Sequence, residues 1–297
     1  MNVEILIAEQ CCLCYGAKRA LNGALEATKT HKQVVLLKEL LHNKKTVRLL
    51  TDAGAVEKES IENISPKDFV VVRAHGEPKS TIDFFEKNKI EFVDLTCPNV
   101  VAIHNLVQQK SQQGWSIILL GKRGKFGSVM HPEIFGTKGW CGKEPQIVED
   151  EEDVQTLCTD DEKYFLVVQT TFNFEKAQIL VDLIKKKIES AGKVFDFKMT
   201  TCFAQKNINI SSAKLAKNVD VMIVVGGKNS SNTKELFANV SCFCKSFFVE
   251  DDEDLEIALQ NLKKDLPHKI GLTGGASTTI DELCEIKSKI KKFFQPL

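Results

Sequence analysis

The sequence predicts an α/β protein built as three similar units with mainly parallel sheets. Three observations predict it. Strand-like apolar runs alternate with helix-like stretches along the 297 residues, the pattern of parallel β–α–β pairing. An apolar run leads into a cysteine three times, at Cys14, Cys97 and Cys202. After each cysteine the same order of elements returns, the mark of an internal repeat.

The elements follow in order. VEILIA runs toward Cys14; a helix-like segment comes next, then the strand of QVVLLKELLHN with His42 near its end, then FVVVRAHG with His75. EFVDLTC ends at Cys97 and is followed by WSIILLGKRG, by His131-Pro132-Glu133, and by FLVVQTTF carrying Thr170. KVFDFKMTTC ends at Cys202 and leads to VDVMIVVGGKNSSN, with Ser230, Ser231 and Asn232, and to KIGLTGGAS with Ser277. The second and third cysteine strands even share an Asp and a Thr-Cys ending, Asp94 with Thr96 and Asp196 with Thr201. The expected units are 1–92, 93–193 and 194–297, each about 90–105 residues and so of small-domain size.

Composition narrows the function. Forty Lys plus Arg balance forty Asp plus Glu, so the chain lacks the basic excess of a protein built for nucleic acid or anionic membrane. No apolar run approaches the ~18–20 residues that cross a bilayer, and MNVEILIAEQ has no basic n-region. A cytoplasmic-type chain with no membrane partner is therefore expected. Ten cysteines without a signal peptide favour metal binding or catalysis over disulfides. The absence of any CxxC pair disfavours zinc ribbons and thioredoxin-like motifs. Only four cations are Arg, so a phosphate ligand would find few bidentate guanidinium clamps.

In open parallel sheets, ligands sit beyond the carboxyl ends of the strands, and the marked residues lie at such ends. Three units around a pseudo-threefold axis would bring the cysteines to the centre. Three thiolates suit zinc or three corners of an iron–sulfur cluster, and three ligands leave one position open for substrate. His42, His75 and His131 with Thr170, Thr171, Ser230, Ser231, Asn232 and Ser277 form a donor set suited to an anion such as a diphosphate. Glu133 is the only acid among these motifs and the natural proton donor. Each motif taken singly also serves structure. His131-Pro132-Glu133 is a good helix start, Gly275-Ala276-Ser277 a capped turn, and the cysteines small buried hydrophobes.

The ordered set resembles the 4-hydroxy-3-methylbut-2-enyl diphosphate reductase family. The matching stretches are Leu13-Cys14-Tyr15-Gly16, Leu41-His42-Asn43, Ala74-His75-Gly76, Thr96-Cys97-Pro98, His131-Pro132-Glu133, Gln169-Thr170-Thr171, Cys202, Gly227 to Asn232 and Gly275-Ala276-Ser277. The resemblance implies a three-domain cloverleaf around a central 4Fe–4S cluster held by Cys14, Cys97 and Cys202. It implies that Glu133 delivers protons with help from Thr170. It implies a small-molecule diphosphate held by His42, His75, His131, Ser230, Ser231, Asn232 and Ser277. Electrons would come singly from a ferredoxin or flavodoxin type donor, and the products would be isopentenyl and dimethylallyl diphosphate.

The chain departs from the family pattern in three places. Where the family reads P-R-G-F-C-x-G, this sequence has Gln10-Cys11-Cys12-Leu13-Cys14-Tyr15-Gly16, with two extra thiols. Lys122 to Met130 forms a longer basic loop before His131. Gln205 stands where the family's A-T-x-x-R-Q places a Thr near the substrate's carbon end. Two alternatives stay open at this level: a diverged member acting on another allylic or hydroxylated diphosphate, and a non-enzymatic cluster-bearing redox sensor that uses Cys11 and Cys12.

Overall fold

The computed structural model describes residues 3–40, 44–123, 130–276 and 278–294. His42 and Ser277 lie outside the described residues, as does most of the loop before Met130. From the amino end run β1 (Glu4–Ile7), α1 (Tyr15–Thr30), β2 (Val34–Leu37), α2 (Lys44–Asp52), β3 (Val56–Lys58), β4 (Phe69–Val72), α3 (Lys79–Lys87) and β5 (Glu91–Asp94). Then come α4 (Pro98–Gln112), β6 (Ser116–Leu120), α5 (Pro132–Lys138), β7 (Gln146–Val148), α6 (Glu151–Thr156), β8 (Lys163–Val168), α7 (Phe174–Ser190) and β9 (Val194–Lys198). The remainder holds α8 (Phe203–Ala216), β10 (Val221–Val225), α9 (Ser231–Ser241), β11 (Lys245–Val249), α10 (Asp252–Asp265), β12 (Lys269–Gly274) and α11 (Ile280–Phe294).

The strands make three four-stranded sheets, ordered β3-β2-β4-β5, β7-β6-β8-β9 and β1-β12-β10-β11. Every pairing is parallel. The order is the same in all three, and it is cyclic. The strand leading into each cysteine is an edge strand that completes the sheet of the preceding repeat. β5 before Cys97 joins β4, and β9 before Cys202 joins β8. β1 before Cys14 joins β12.

The chain divides into two compact units. One is Met1–Leu21, Leu41–Leu49 and Phe203–Leu297, with the sheet of β1, β12, β10 and β11. The other is Asn22–Leu40 and Leu50–Cys202, with the two remaining sheets. Four of the six inner strands, β2, β6, β8 and β10, are buried along nearly their whole length. Helices cover both faces, so these strands read as unbroken apolar runs. The edge strands β5 and β9 carry charged, exposed positions, which discourages further pairing. Among the described residues no helix is long and apolar enough to cross a membrane.

Candidate active site

The larger unit places a carboxyl group at the end of β8. His131, Pro132 and Glu133 start α5: His131 is the N-cap, Pro132 supplies a helix-ready φ, and Glu133 sits in the positive first turn. Glu133 is buried, with only 2% of its surface exposed, among Ile103, Leu119, Ile134 and Val167. Thr170 meets it from the end of β8. The Thr170 N–H donates to Glu133 Oε1 and the Thr170 hydroxyl donates to Oε2, each at 2.6 Å. Burial pushes the Glu133 carboxyl up to about 7, against the downward pull of the two Thr170 hydrogen bonds. A backbone N–H can only donate, so Oε1 is held as an acceptor. The proton of the acid form therefore rides on Oε2, where the Thr170 hydroxyl can take it up and pass it on.

His131 adjoins the Glu133 backbone, and His75 adjoins His131. His131 Nδ1 accepts the Glu133 N–H at 3.2 Å, and its Nε2 lies 3.1 Å from Gln169 Nε2. A neutral imidazole accepts at one nitrogen only, so the ring serves one of these donors at a time. Gln169 is fixed on its other sides: its Oε1 accepts the Lys122 N–H at 2.8 Å and its amide donates to Thr171 Oγ1 at 2.7 Å. The His75 ring stands edge-on to His131, with centroids 5.9 Å apart. Gly76 turns the chain with φ +77°, and a Cβ there would lie 2.6 Å from His104 Cε1. A buried ion pair, Arg73 Nε to Glu77 Oε1 at 3.0 Å, brackets the His75 turn, and Trp140 Nε1 donates to the Glu77 carbonyl at 3.0 Å. The pattern Arg73-Ala74-His75-Gly76-Glu77, opposite charges four residues apart around a motif, is the sequence signal that marks this clamp.

The smaller unit holds the Ser/Asn set. Ser230 caps α9: its Oγ accepts the Thr233 N–H at 3.3 Å, and its own N–H donates to the Gly227 carbonyl at 3.0 Å. The first backbone N–H groups of α9 are thus presented at this turn, an arrangement that favours anions. The Asn232 carbonyl accepts from Gln205 Nε2 at 3.3 Å, and Gln205 also reaches Asn209 Oδ1 at 3.0 Å. The Ser231 side chain lies outside the described residues. The neighbouring loop is tied to β10 by Gly275 N–H and Thr278 Oγ1, which both donate to the Val225 carbonyl, at 3.1 and 2.9 Å. Lys228 is engaged by Asp254 at 2.6 Å, so the cation of this glycine-rich stretch is spent in an ion pair.

The three repeated cysteines share one local setting. Cys97 is the N-cap of α4, and Cys14 and Cys202 immediately precede α1 and α8. Each is half-buried, and none of the ten cysteines is joined in a disulfide. Cys14 Sγ accepts the Ala17 N–H at 3.5 Å. Cys97 N–H donates to the Ala74 carbonyl at 3.0 Å and Cys202 N–H to the Thr170 carbonyl at 2.7 Å. Among the described residues no three of His, Cys, Asp or Glu stand close enough together to hold a metal ion. The chemistry of the donor set, three partly exposed thiols each at a helix start, nevertheless fits iron–sulfur ligation. The structure thus brings His75, His131, Glu133 and Thr170 together in one unit and places Ser230 and Asn232 at one turn of the other.

A family model described as LytB protein matches residues 5–291. The chain is 34% identical over 295 residues to a 4-hydroxy-3-methylbut-2-enyl diphosphate reductase of Thermoanaerobacter sp. (strain X514), covering 97% of each chain. It is 34% identical over 280 residues to one from Clostridioides difficile (strain 630), covering 94% of this chain and 95% of the relative. A solved (E)-4-hydroxy-3-methyl-but-2-enyl diphosphate reductase, described as the terminal enzyme of the non-mevalonate pathway, superposes with a TM-score of 0.76 at 31% identity, covering 98% of this chain and 100% of that one. A reductase structure from Plasmodium falciparum gives a TM-score of 0.79 at 26% identity, covering 100% and 89%. By sequence along nearly its whole length and by fold, this chain belongs to the LytB family.

Proposed function

We propose that the chain is an oxidoreductase that removes the hydroxyl of 4-hydroxy-3-methylbut-2-enyl diphosphate, giving isopentenyl and dimethylallyl diphosphate. Two electrons and two protons enter, the C–O bond breaks, and water leaves. A 4Fe–4S cluster held by Cys14, Cys97 and Cys202 would supply the electrons one at a time, drawn from a ferredoxin or flavodoxin type donor in the cytoplasm. The three repeats, 1–92, 93–193 and 194–297, would each contribute one cysteine.

The protons are the work of this chain's own residues. Glu133 carries the acid proton on Oε2, and the Thr170 hydroxyl hands it toward the leaving oxygen. A buried acid poised at about 7 holds and releases protons at neutral pH. Neutral and imidazole donors bind the diphosphate: His42, His75, His131, Ser230, Ser231, Asn232 and Ser277. The Ser230 hydroxyl keeps its proton free to donate, because its bond to Thr233 uses it as acceptor. Arg73 is buried against Glu77 and takes no part.

The single observation that carries this reading is the buried Glu133 carboxyl gripped at both oxygens by Thr170. The test is anaerobic purification with iron and sulfide counted, followed by viologen-driven turnover of the hydroxylated diphosphate. Iron-loaded protein that leaves this substrate unreduced refutes the assignment.

A further inference from the structure

The segment that replaces the family's Arg-Gly carries a second chemistry. Cys12 Sγ lies 3.6 Å from Cys11 Sγ and 3.6 Å from the Thr279 carbonyl. Cys12 is buried and its backbone has φ +70°, a conformation that a β-carbon disfavours and that glycine adopts freely. A cysteine held there against its own preference, thiol to thiol with its neighbour, is the kind of outlier that accompanies function.

We propose that Cys11 and Cys12 are a reversible redox-modification site that closes to a vicinal disulfide under peroxide. The two thiols differ in access. Cys11 is half-buried and meets solvent, whereas Cys12 is enclosed. The Cys11 thiol attacks the peroxide, its S–O bond forms as the O–O bond breaks, and water leaves, giving a sulfenic acid. The Cys12 thiol then attacks that sulfur; the S–S bond forms, the S–O bond breaks, and a second water leaves. Two thiols are oxidised by two electrons and one peroxide is reduced to two waters.

Reversibility follows from geometry. The peptide between Cys11 and Cys12 is trans, as are all peptides among the described residues, so the two Cα atoms are about 3.8 Å apart, below the roughly 4.4 Å at which ordinary disulfides begin. The resulting ring is strained, and strained disulfides are readily reduced by thiols. Closure would draw Cys12 Sγ from the Thr279 carbonyl. The Cys12 N–H donates to the Gly274 carbonyl at 3.1 Å and the Leu13 N–H to the Thr278 carbonyl at 2.8 Å. The modified pair therefore adjoins both the segment before Cys14 and the Gly274–Thr278 turn. That these flank a working site rests on the reductase reading; the thiol chemistry does not.

The test is a mass, so failure of the reductase reading leaves it standing. The anaerobic holoprotein is treated with one equivalent of hydrogen peroxide, alkylated after cluster removal, and cut with trypsin. The peptide Met1 to Lys18 should lose two hydrogens, with fragmentation placing the bridge between Cys11 and Cys12, an alkyl group on Cys14, and full recovery of three alkylated thiols after glutathione. Cys12→Gly, which suits φ +70° and keeps the fold, should abolish the bridge. Three alkylated thiols after peroxide, or a bridge to Cys14 in the wild type, overturns the proposal.

Discussion

Thr170 grips both oxygens of the Glu133 carboxyl, one with its backbone N–H and one with its hydroxyl, at 2.6 Å each. The two bonds are not equivalent. The first fixes orientation whatever the protonation state, while the second can reverse. One residue therefore orients the carboxyl and also sets a reversible hydroxyl against it.

Glu133→Gln keeps size and the bond from the Thr170 N–H but cannot donate an acidic proton. Cluster content and substrate binding should stay near normal, while turnover falls by about 10²–10⁴. Turnover measured beside equilibrium binding checks this. A rate near wild type would assign the proton to another group.

The Thr170 hydroxyl is separable from its backbone N–H. Thr170→Val removes one of the bonds that hold the Glu133 pKa down. The decline of kcat as pH rises through about 7 should move to higher pH, with a lower maximum, and Thr170→Ser should restore both. A pH–rate profile unchanged in the valine variant would separate the hydroxyl from the acid.

Stability should carry the same signature. The Glu133 carboxyl sits at about 7 in the folded chain against 4.5 ordinarily, so between these values the folded state binds more protons than the unfolded one. Its contribution is fully present below about 4.5 and is lost as pH rises through about 7, by on the order of 3 kcal/mol. Glu133→Gln lacks this loss. Denaturation at pH 5 and pH 8 should show the stability difference moving in favour of the variant at pH 8; a difference flat across the window contradicts the burial argument.

Cys14→Ser, Cys97→Ser and Cys202→Ser should each lose most cluster absorbance, whereas Cys141→Ser and Cys158→Ser should not. Full cluster content in Cys14→Ser would make Cys11 or Cys12 the ligand.

Ser230→Ala and Asn232→Ala should each weaken substrate binding by roughly 1–3 kcal/mol, the scale for hydrogen bonds to a charged group. Ser230→Ala should in addition lose about 1 kcal/mol of stability, because the cap on Thr233 disappears. Calorimetric titration together with thermal unfolding separates the two effects.

The inner strands were legible because both faces are buried: VVLL, IILL and VMIVV are apolar without interruption. β3, β7 and β11 left no such trace, since two of them have only three residues and all are edges with partly exposed positions. The sheet that each cysteine strand joins was also illegible. Edge pairing is decided by the crossover between strands, not by the strand's own residues. Glu133 and Thr170 stood out as motif members, but their mutual grip joins residues from two elements that sequence leaves far apart. The Gln169 bridge and the Arg73–Glu77 clamp use polar residues that read as surface until burial is known. The left-handed backbone of Cys12 was hidden because only the side chain, not φ, is written in the letters.

The parallel pairing of β1 with β12 sets Glu4 opposite Lys269, and β1 has no other neighbour in its sheet. During synthesis the sheets of β2 to β5 and of β6 to β9 can form as their strands leave the ribosome. β1 must wait, unpartnered, until β12 is made. Any truncation before Lys269 would strand it, along with the turn that carries Cys14. The first of the three repeated thiols to be made is thus the last to be positioned, so the setting of Cys14 is tied to completion of the carboxyl-terminal sheet and not to its own place in the order of synthesis.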